Sequence, residues 1–275
     1  MPKKNLSSSG PIGPLSVGNA VSASLRIYRD HFKSYFGLAF VANLWLFVPI
    51  YGWAKYSAIL GLISRLAFGE VKEKPETVSD ARREVNPRMW RLLWAGILTY
   101  LIFLGVSLIG GIAMAILIGG AAAIFGQNGV IIGALVVVAL IAFFIICIRL
   151  LSRLLIVELP LAIENNIGAS SAISRSWELT KGSVGRIQWI VLVAILVSLP
   201  ITIVVQILAT IIQVFLSRLL GAESGIYYLV SSLLTLPLSF GSSALLTPFW
   251  QDIRAIVYYD LRSRKEGLGL QIRKR

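Results

Sequence analysis

One cysteine and one histidine are all that this 275-residue sequence offers of either type. Cys147 alone excludes an intramolecular disulfide, and with His31 it leaves no Cys/His metal cluster, so no cofactor is expected. Charge is scarce as well. Charged residues make up 14% of the chain, against about 25% in an ordinary soluble domain. Over Leu92 to Phe125, Val130 to Ile148, Ile187 to Ser217 and Ser224 to Gln251 there is no charge at all. Each run reaches the ~18 apolar residues that suffice for a membrane span. Lipid offers the backbone no hydrogen-bond partner, so runs of this length are expected to be helices. The expected fold is all-α, a polytopic membrane bundle.

Acidic residues are the next shortage, 13 against 26 Lys and Arg, for a net charge of +13. The positions of the basic residues give the topology, because retained cytoplasmic loops carry excess Lys and Arg. Gly119 to Gly129 has none and is expected outside, while Val71 to Arg91 and Arg149 to Arg186 are rich in them. This predicts spans at about 90–118, 130–157, 187–217 and 226–250 and a cytoplasmic loop at 70–88. The apolar stretch 35–69 is broken by Pro49 and Gly52. As a helical hairpin it leaves only Lys55 and Arg218 outside. A single crossing would export Lys3, Lys4, Arg26, Arg29, Lys33 and Arg218. The hairpin is therefore expected, making about six membrane helices with both termini cytoplasmic. Its legs of about 15 residues reach only about 22 Å against a core of about 30 Å, which leaves a re-entrant form open. Residues 1–18 have no apolar signal-peptide core and read as a disordered arm.

Two short segments carry charge just ahead of apolar stretches. In "AVSASLRIYRDHFKSYF", Val21, Leu25, Tyr28 and Phe32 share one helical face and Arg26, Arg29 and Lys33 another. A shift of 152 residues lays this segment on "AISRSWELTKGSVGRIQ", matching Ala20, Ser22 and Ser24 with Ala172, Ser174 and Ser176. "ISRLAFGE" at 63–70 likewise echoes "LSRLLGAE" at 216–223. These echoes predict an internal repeat of an interfacial amphipathic helix, at 20–33 and 170–181, followed by membrane segments. Gly182 is expected to end the second helix in the left-handed region, with Lys181 complementing its C-terminus.

"AISRSWELTKGS" at 172–183 and "AIVYYDLRSRKEGLGLQI" at 255–272 resemble the two recurrent motifs of a family. It is the membrane domain found beside some bacterial glycerophosphodiester phosphodiesterases, and the resemblance runs from about Leu15 to Ile272. It implies a stand-alone multi-span protein of a bacterial inner (plasma) membrane. The hydrolase itself needs a soluble barrel of roughly 250 residues, for which this chain has no room, so that activity is not implied.

Individual polar residues suggest contacts more readily than chemistry. His31 has only Asp30 nearby in sequence, and Lys55 is expected to snorkel at the outer rim of the hairpin. Asn43, Gln206 and Gln213 suit hydrogen bonds between helices, and the pairs Gly110–Gly111 and Gly119–Gly120 suit close helix contacts. Glu158 and Glu164 read as salt-bridge partners. No acid lies deep in an apolar run, which counts against a proton-coupled carrier. The last segment, 249–265, reads as a cytoplasmic amphipathic helix. Its stripe is Trp250, Ile253, Val257 and Leu261, its polar side includes Asp252, Arg254, Arg262 and Arg264, and Asp260 pairs with Arg264. Tyr258 and Tyr259 are assigned to the interfacial aromatic belt. Residues 266–275 form a basic tail.

The expected contacts for anionic lipid or a partner are Arg149, Arg153, Arg175, Trp177, Lys181, Arg262, Arg264, Lys265, Arg273, Lys274 and Arg275. Membrane lipids are the expected partners, together with a protein partner or a second copy; nucleic acid is not expected. The reading is a non-enzymatic membrane protein that organises lipids or proteins through a basic cytoplasmic face. A transporter or channel is the alternative, and a membrane-embedded lipid enzyme the third.

Overall fold

The computed structural model describes residues 16–126 and 128–267, and among them every regular element is a helix. Ten α-helices follow in order: α1 (Val17–Asp30), α2 (Phe32–Trp45), α3 (Tyr51–Val71), α4 (Val78–Val85), α5 (Met89–Phe125), α6 (Gly129–Leu154), α7 (Glu158–Ile163), α8 (Ala169–Thr180), α9 (Val184–Leu220) and α10 (Gly225–Lys265). Several begin where a side chain accepts an otherwise orphaned N–H: Ser16 for α1, Thr77 for α4, Asn128 for α6 and Ser224 for α10. Of the expected arm, residues 1–15 lie outside the described residues, and Ser16 already caps α1. The loop expected at 70–88 holds α4 and a 3-10 turn at Asn86–Arg88, with Ala81 and Val85 buried.

Among the described residues four helices are long and apolar enough to cross a membrane: α5, α6, α9 and α10. The two legs of the hairpin are not among them. At 14 residues α2 is only about 21 Å long, and α3 carries Lys55, Arg65 and Glu70. The hairpin turns back beside α10, where Asn43 Nδ2 donates to the Phe240 carbonyl at 3.2 Å and Phe47 packs edge-on to the Phe240 ring. Phe240 is about 22 Å along the axis from the start of α10 at Gly225. The tip is sterically demanding. Ile50 sits at φ 63°, and a Cβ on Gly52 would lie 1.9 Å from the Trp45 carbonyl oxygen, so no other residue fits there. Lys55 lies one turn beyond this tip with its ammonium 5.5 Å above the Tyr51 ring.

The core lies at one end of the long helices. Its largest cluster joins Ile187, Ile190 and Val191 of α9 to Phe249, Ile253, Ile256 and Leu261 of α10 and to Ala20 and Val21 of α1. A second joins Ala58, Leu92, Leu154 and Leu161, and a third Tyr35, Leu62, Ile63 and Ala244. This end forms a packed base. The rest of α5, α6, α9 and α10 projects from it with large apolar side chains exposed, among them Ile109, Ile124, Val130, Phe215 and Ile226.

Two further expectations change here. Residues 226–250 and 249–265 are one continuous helix that carries Pro237 and Pro248 inside it. Its last part is buried rather than amphipathic: α1, α3 and α9 pack around it, and Gln251, Asp252 and Asp260 are enclosed along with Ile253, Ile256 and Leu261. Tyr258 is fully buried with it, not part of a belt, whereas Tyr259 is partly exposed. The stripe expected on 20–33 is divided between two surroundings. Ala20, Val21 and Ser24 face the base, while Leu25 and Phe32 are exposed.

Candidate functional site

Between α6 and α8 the chain makes two short kinked segments around α7, and carbonyls left without helical partners are taken up by arginines. Arg88 donates to the Leu161 and Glu164 carbonyls (3.1 and 2.8 Å) and to Asn165 Oδ1 (2.8 Å). Arg65 donates to the Ala162 carbonyl (3.0 Å) and pairs with Glu76 (2.7 Å). The carboxylates of this linker, expected to form salt bridges, do so: Glu158 pairs with Arg254 at 2.6 Å and Glu164 with Arg175 at 3.5 Å.

Four of the basic residues singled out from the sequence are drawn into the base. Arg175 pairs with Glu164 and Glu266, and Arg262 pairs with Glu266 at 2.7 Å and approaches Glu164 at 3.9 Å. The Tyr258 hydroxyl donates to Glu164, closing a clasp between α8 and the foot of α10. Burial alone would raise the Glu266 carboxyl, but Arg262 and then Arg175 hold it below its usual range. For Arg175, burial works against the charge, yet Glu164 and Glu266 push its pKa up. Arg264 pairs with Asp260 at 3.2 Å, as the four-residue spacing predicts, and Arg186 reaches the same carboxylate from α9. Lys265 Nζ donates to the Glu178 and Lys181 carbonyls (2.8 and 3.0 Å). The C-terminus of α8 is thus complemented from α10 by Lys265, not by the exposed Lys181, and Gly182 follows at φ 82° as expected. Arg273, Lys274 and Arg275 lie outside the described residues.

The other three form a separate surface. Arg153 stacks its guanidinium 4.9 Å from the Trp177 ring centroid and donates to the Trp177 carbonyl (3.1 Å), while Ser176 donates to the Arg153 carbonyl (2.7 Å). Arg149 lies one turn away, and the three line a groove of about 290 Å³ whose remaining walls are Val106, Ile146 and Leu150. Trp177 stays 48% exposed. The groove therefore joins two cations and an indole to the apolar flank of α5 and α6.

The sequence reading misplaced several other groups. His31 pairs with Glu70 at 3.3 Å, not with Asp30. Gln206 and Gln213 are exposed, while Asn43 does bridge helices, to Phe240 and Ser243 of α10. Gly110 is a close contact, since a Cβ there would meet Phe143 at 2.4 Å; Gly111, Gly119 and Gly120 have open space. Asp252, expected on a polar face, is fully buried with neither carboxylate oxygen hydrogen-bonded. Among the described residues no three of His, Cys, Asp and Glu stand close enough to share a metal ion.

No curated protein and no solved structure matches the chain. A family model does match, over residues 122–267, which takes in α6 to α10 and both motifs quoted above as far as Gly267. With four long apolar helices and a match over more than half its length, this multi-pass membrane protein belongs to the family described as the membrane domain of glycerophosphoryl diester phosphodiesterase.

Proposed function

We propose that the protein is a non-enzymatic organiser of lipids in the cytoplasmic leaflet of a bacterial inner membrane, with the packed base at headgroup level. The stretch from Gly129 to Arg149 is about 30 Å long, one hydrocarbon thickness, and carries no charge until Arg149. The exposed rings of Trp90, Trp94, Trp177 and Trp189 surround the base, as an interfacial belt would. On this placement α1 and α8 lie in the interface. The α2–α3 hairpin enters the leaflet with its exposed Phe47, Ile50 and Trp53 and returns, so four helices cross and two dip in. Both termini are then cytoplasmic.

The observation that carries the reading is the groove of Arg149, Arg153 and Trp177. On the proposed placement its two cations lie beside lipid-facing helices at the depth of anionic headgroups. Each cation near such a surface contributes roughly 1 kcal/mol. The double variant Arg149→Ala/Arg153→Ala should therefore fold but keep several-fold less phosphatidylglycerol through detergent purification, read by lipid mass spectrometry. Unchanged retention would remove the proposal.

Transport is the second reading, and Asp252 is what favours it. A buried carboxylate without hydrogen-bond donors, packed where α1 and α2 meet α10, is costly and often functional. An Asp252→Asn variant that folds better than the wild type would assign that residue no such role.

A further inference from the structure

A second cleft lies on another side of the α5–α6 pair, between it, α7 and the foot of α10. Its volume is about 360 Å³. Tyr100, Phe103, Leu151 and Leu154 wall it, and among the described residues the charges lining it are Glu158 and Arg254. Those walls begin just inward of Val106 and Arg149, so the cleft continues from the lipid-facing flank into the base. Tyr100 is 65% exposed at its mouth.

The charged floor is held in place but incompletely satisfied. Arg254 Nη1 donates to Glu158 Oε1 (2.6 Å) and to Gln251 Oε1 (3.3 Å), and that amide oxygen also accepts from Ser64 Oγ (2.6 Å). Glu158 Oε2 and Arg254 Nε have no hydrogen-bond partner although both are buried. Buried polar atoms without partners are rare and call for an explanation.

We propose that this cleft binds a zwitterionic phospholipid whose headgroup ends in a primary ammonium. The ammonium would donate to Glu158 and the phosphate would accept from Arg254, with the first acyl carbons along Tyr100, Phe103 and Leu151. A purely anionic headgroup would meet Glu158, and a lone cation would meet Arg254; only a ligand with both charges satisfies both. A trimethylammonium headgroup has no N–H to give the carboxylate. The assignment rests on the headgroup-level placement of the base.

Gly96 supplies the test, because it lines the cleft and a Cβ there meets nothing within 4 Å. Gly96→Leu therefore plugs the cleft without touching the ion pair. The full chain is placed in nanodiscs of phosphatidylethanolamine, phosphatidylcholine and phosphatidylglycerol in equal parts, then extracted, and its retained lipids are weighed by native mass spectrometry. The wild type should retain phosphatidylethanolamine at least about fivefold over phosphatidylcholine. Gly96→Leu should lose that preference and keep phosphatidylglycerol, while Arg149→Ala/Arg153→Ala should do the reverse. Equal retention of the two zwitterionic lipids, or a preference that survives Gly96→Leu, overturns the assignment. So does displacement by soluble glycerophosphoethanolamine at a concentration equal to the lipid, since the apolar walls would then have no part. If the preference holds but the arginine variant keeps its phosphatidylglycerol, it is the anionic groove that fails, not this cleft.

Discussion

Residues 32–71 and 184–220 occupy matching places, each after one of the two short helices that echo one another at a spacing of 152, yet they fold differently. The first turns back on itself as α2 and α3; the second continues as a single helix of 37 residues. Both contain a proline near the equivalent point, Pro49 and Pro200. Proline therefore does not decide the turn. In the first segment Gly52 admits the Trp45 carbonyl where any Cβ would collide, and Ile50 holds a positive φ in a tight turn closed by the Tyr51 N–H on the Pro49 carbonyl. In the second, "SLPITIVV" has no glycine, and the helix runs through Pro200 while Ser198 and Thr202 donate to the Ala194 and Ser198 carbonyls. In an apolar run, a backbone that leaves the helix loses hydrogen bonds it cannot replace. Continuing is the default, and turning back requires a residue without a side chain.

The short helices differ less. Ala20 and Ser24 of α1 are buried, and so are their counterparts Ala172 and Ser176 of α8. The contrast lies in how each is fastened. At the position of Arg175, which clasps Glu164 and Glu266, α1 has Ala23.

The most damaging way to break this comparison is at the hairpin tip. Gly52→Val should cost about 3 kcal/mol or more and remove most of the monodisperse protein, because the collision is with backbone and has no side-chain escape. Pro200→Ala should shift the thermal midpoint little, and upward if at all, since it restores a helical N–H. Comparable losses in the two variants would mean that the turn is not set at Gly52. Next in size is the shared face of the short helices. Ser24→Leu and Ser176→Leu each overfill a closed contact and should each cost about 1–3 kcal/mol, measured by denaturation in detergent. A large loss from one alone would show that the two helices are docked in different ways.

The smallest effect concerns the clasp that only α8 has. The folded-state pKa of Glu266 lies below its ordinary value of 4.5, so its stabilisation is full above that pH and fades as pH falls through the lower, folded value. Glu266→Gln should therefore be less stable than the wild type at pH 7, and the difference should close under acid conditions. A gap that stays constant with pH would mean the residue acts by packing.

Much of the architecture was legible in one dimension. Charge-free runs give the four long helices, and the lack of Lys and Arg at 119–129 separates that connection from the basic ones. The hairpin was legible as an interruption at Pro49 and Gly52, and so was the shortness of its first leg; the 21-residue length of α3 was not. The site was half visible. Arg149 and Arg153 could be placed on one face by their spacing, and Trp177 could not, because its approach depends on how α8 packs on α6. The pair of Arg264 with Asp260 was legible in their four-residue spacing, but Arg175 and Lys265 looked like surface charge, since nothing local indicates that Glu266 and the carbonyls of α8 would meet them.

By itself, then, the sequence determined a multi-helix membrane protein, because lipid leaves a long apolar run no alternative to helix. It also determined the place of the turn, since the absence of a Cβ is a local fact. Only the tertiary structure decided which of the many basic residues are spent on internal pairs and which face outward. Pairs four residues apart aside, ion pairing here depends on contacts between helices far apart in the chain, and residue spacing carries no record of those.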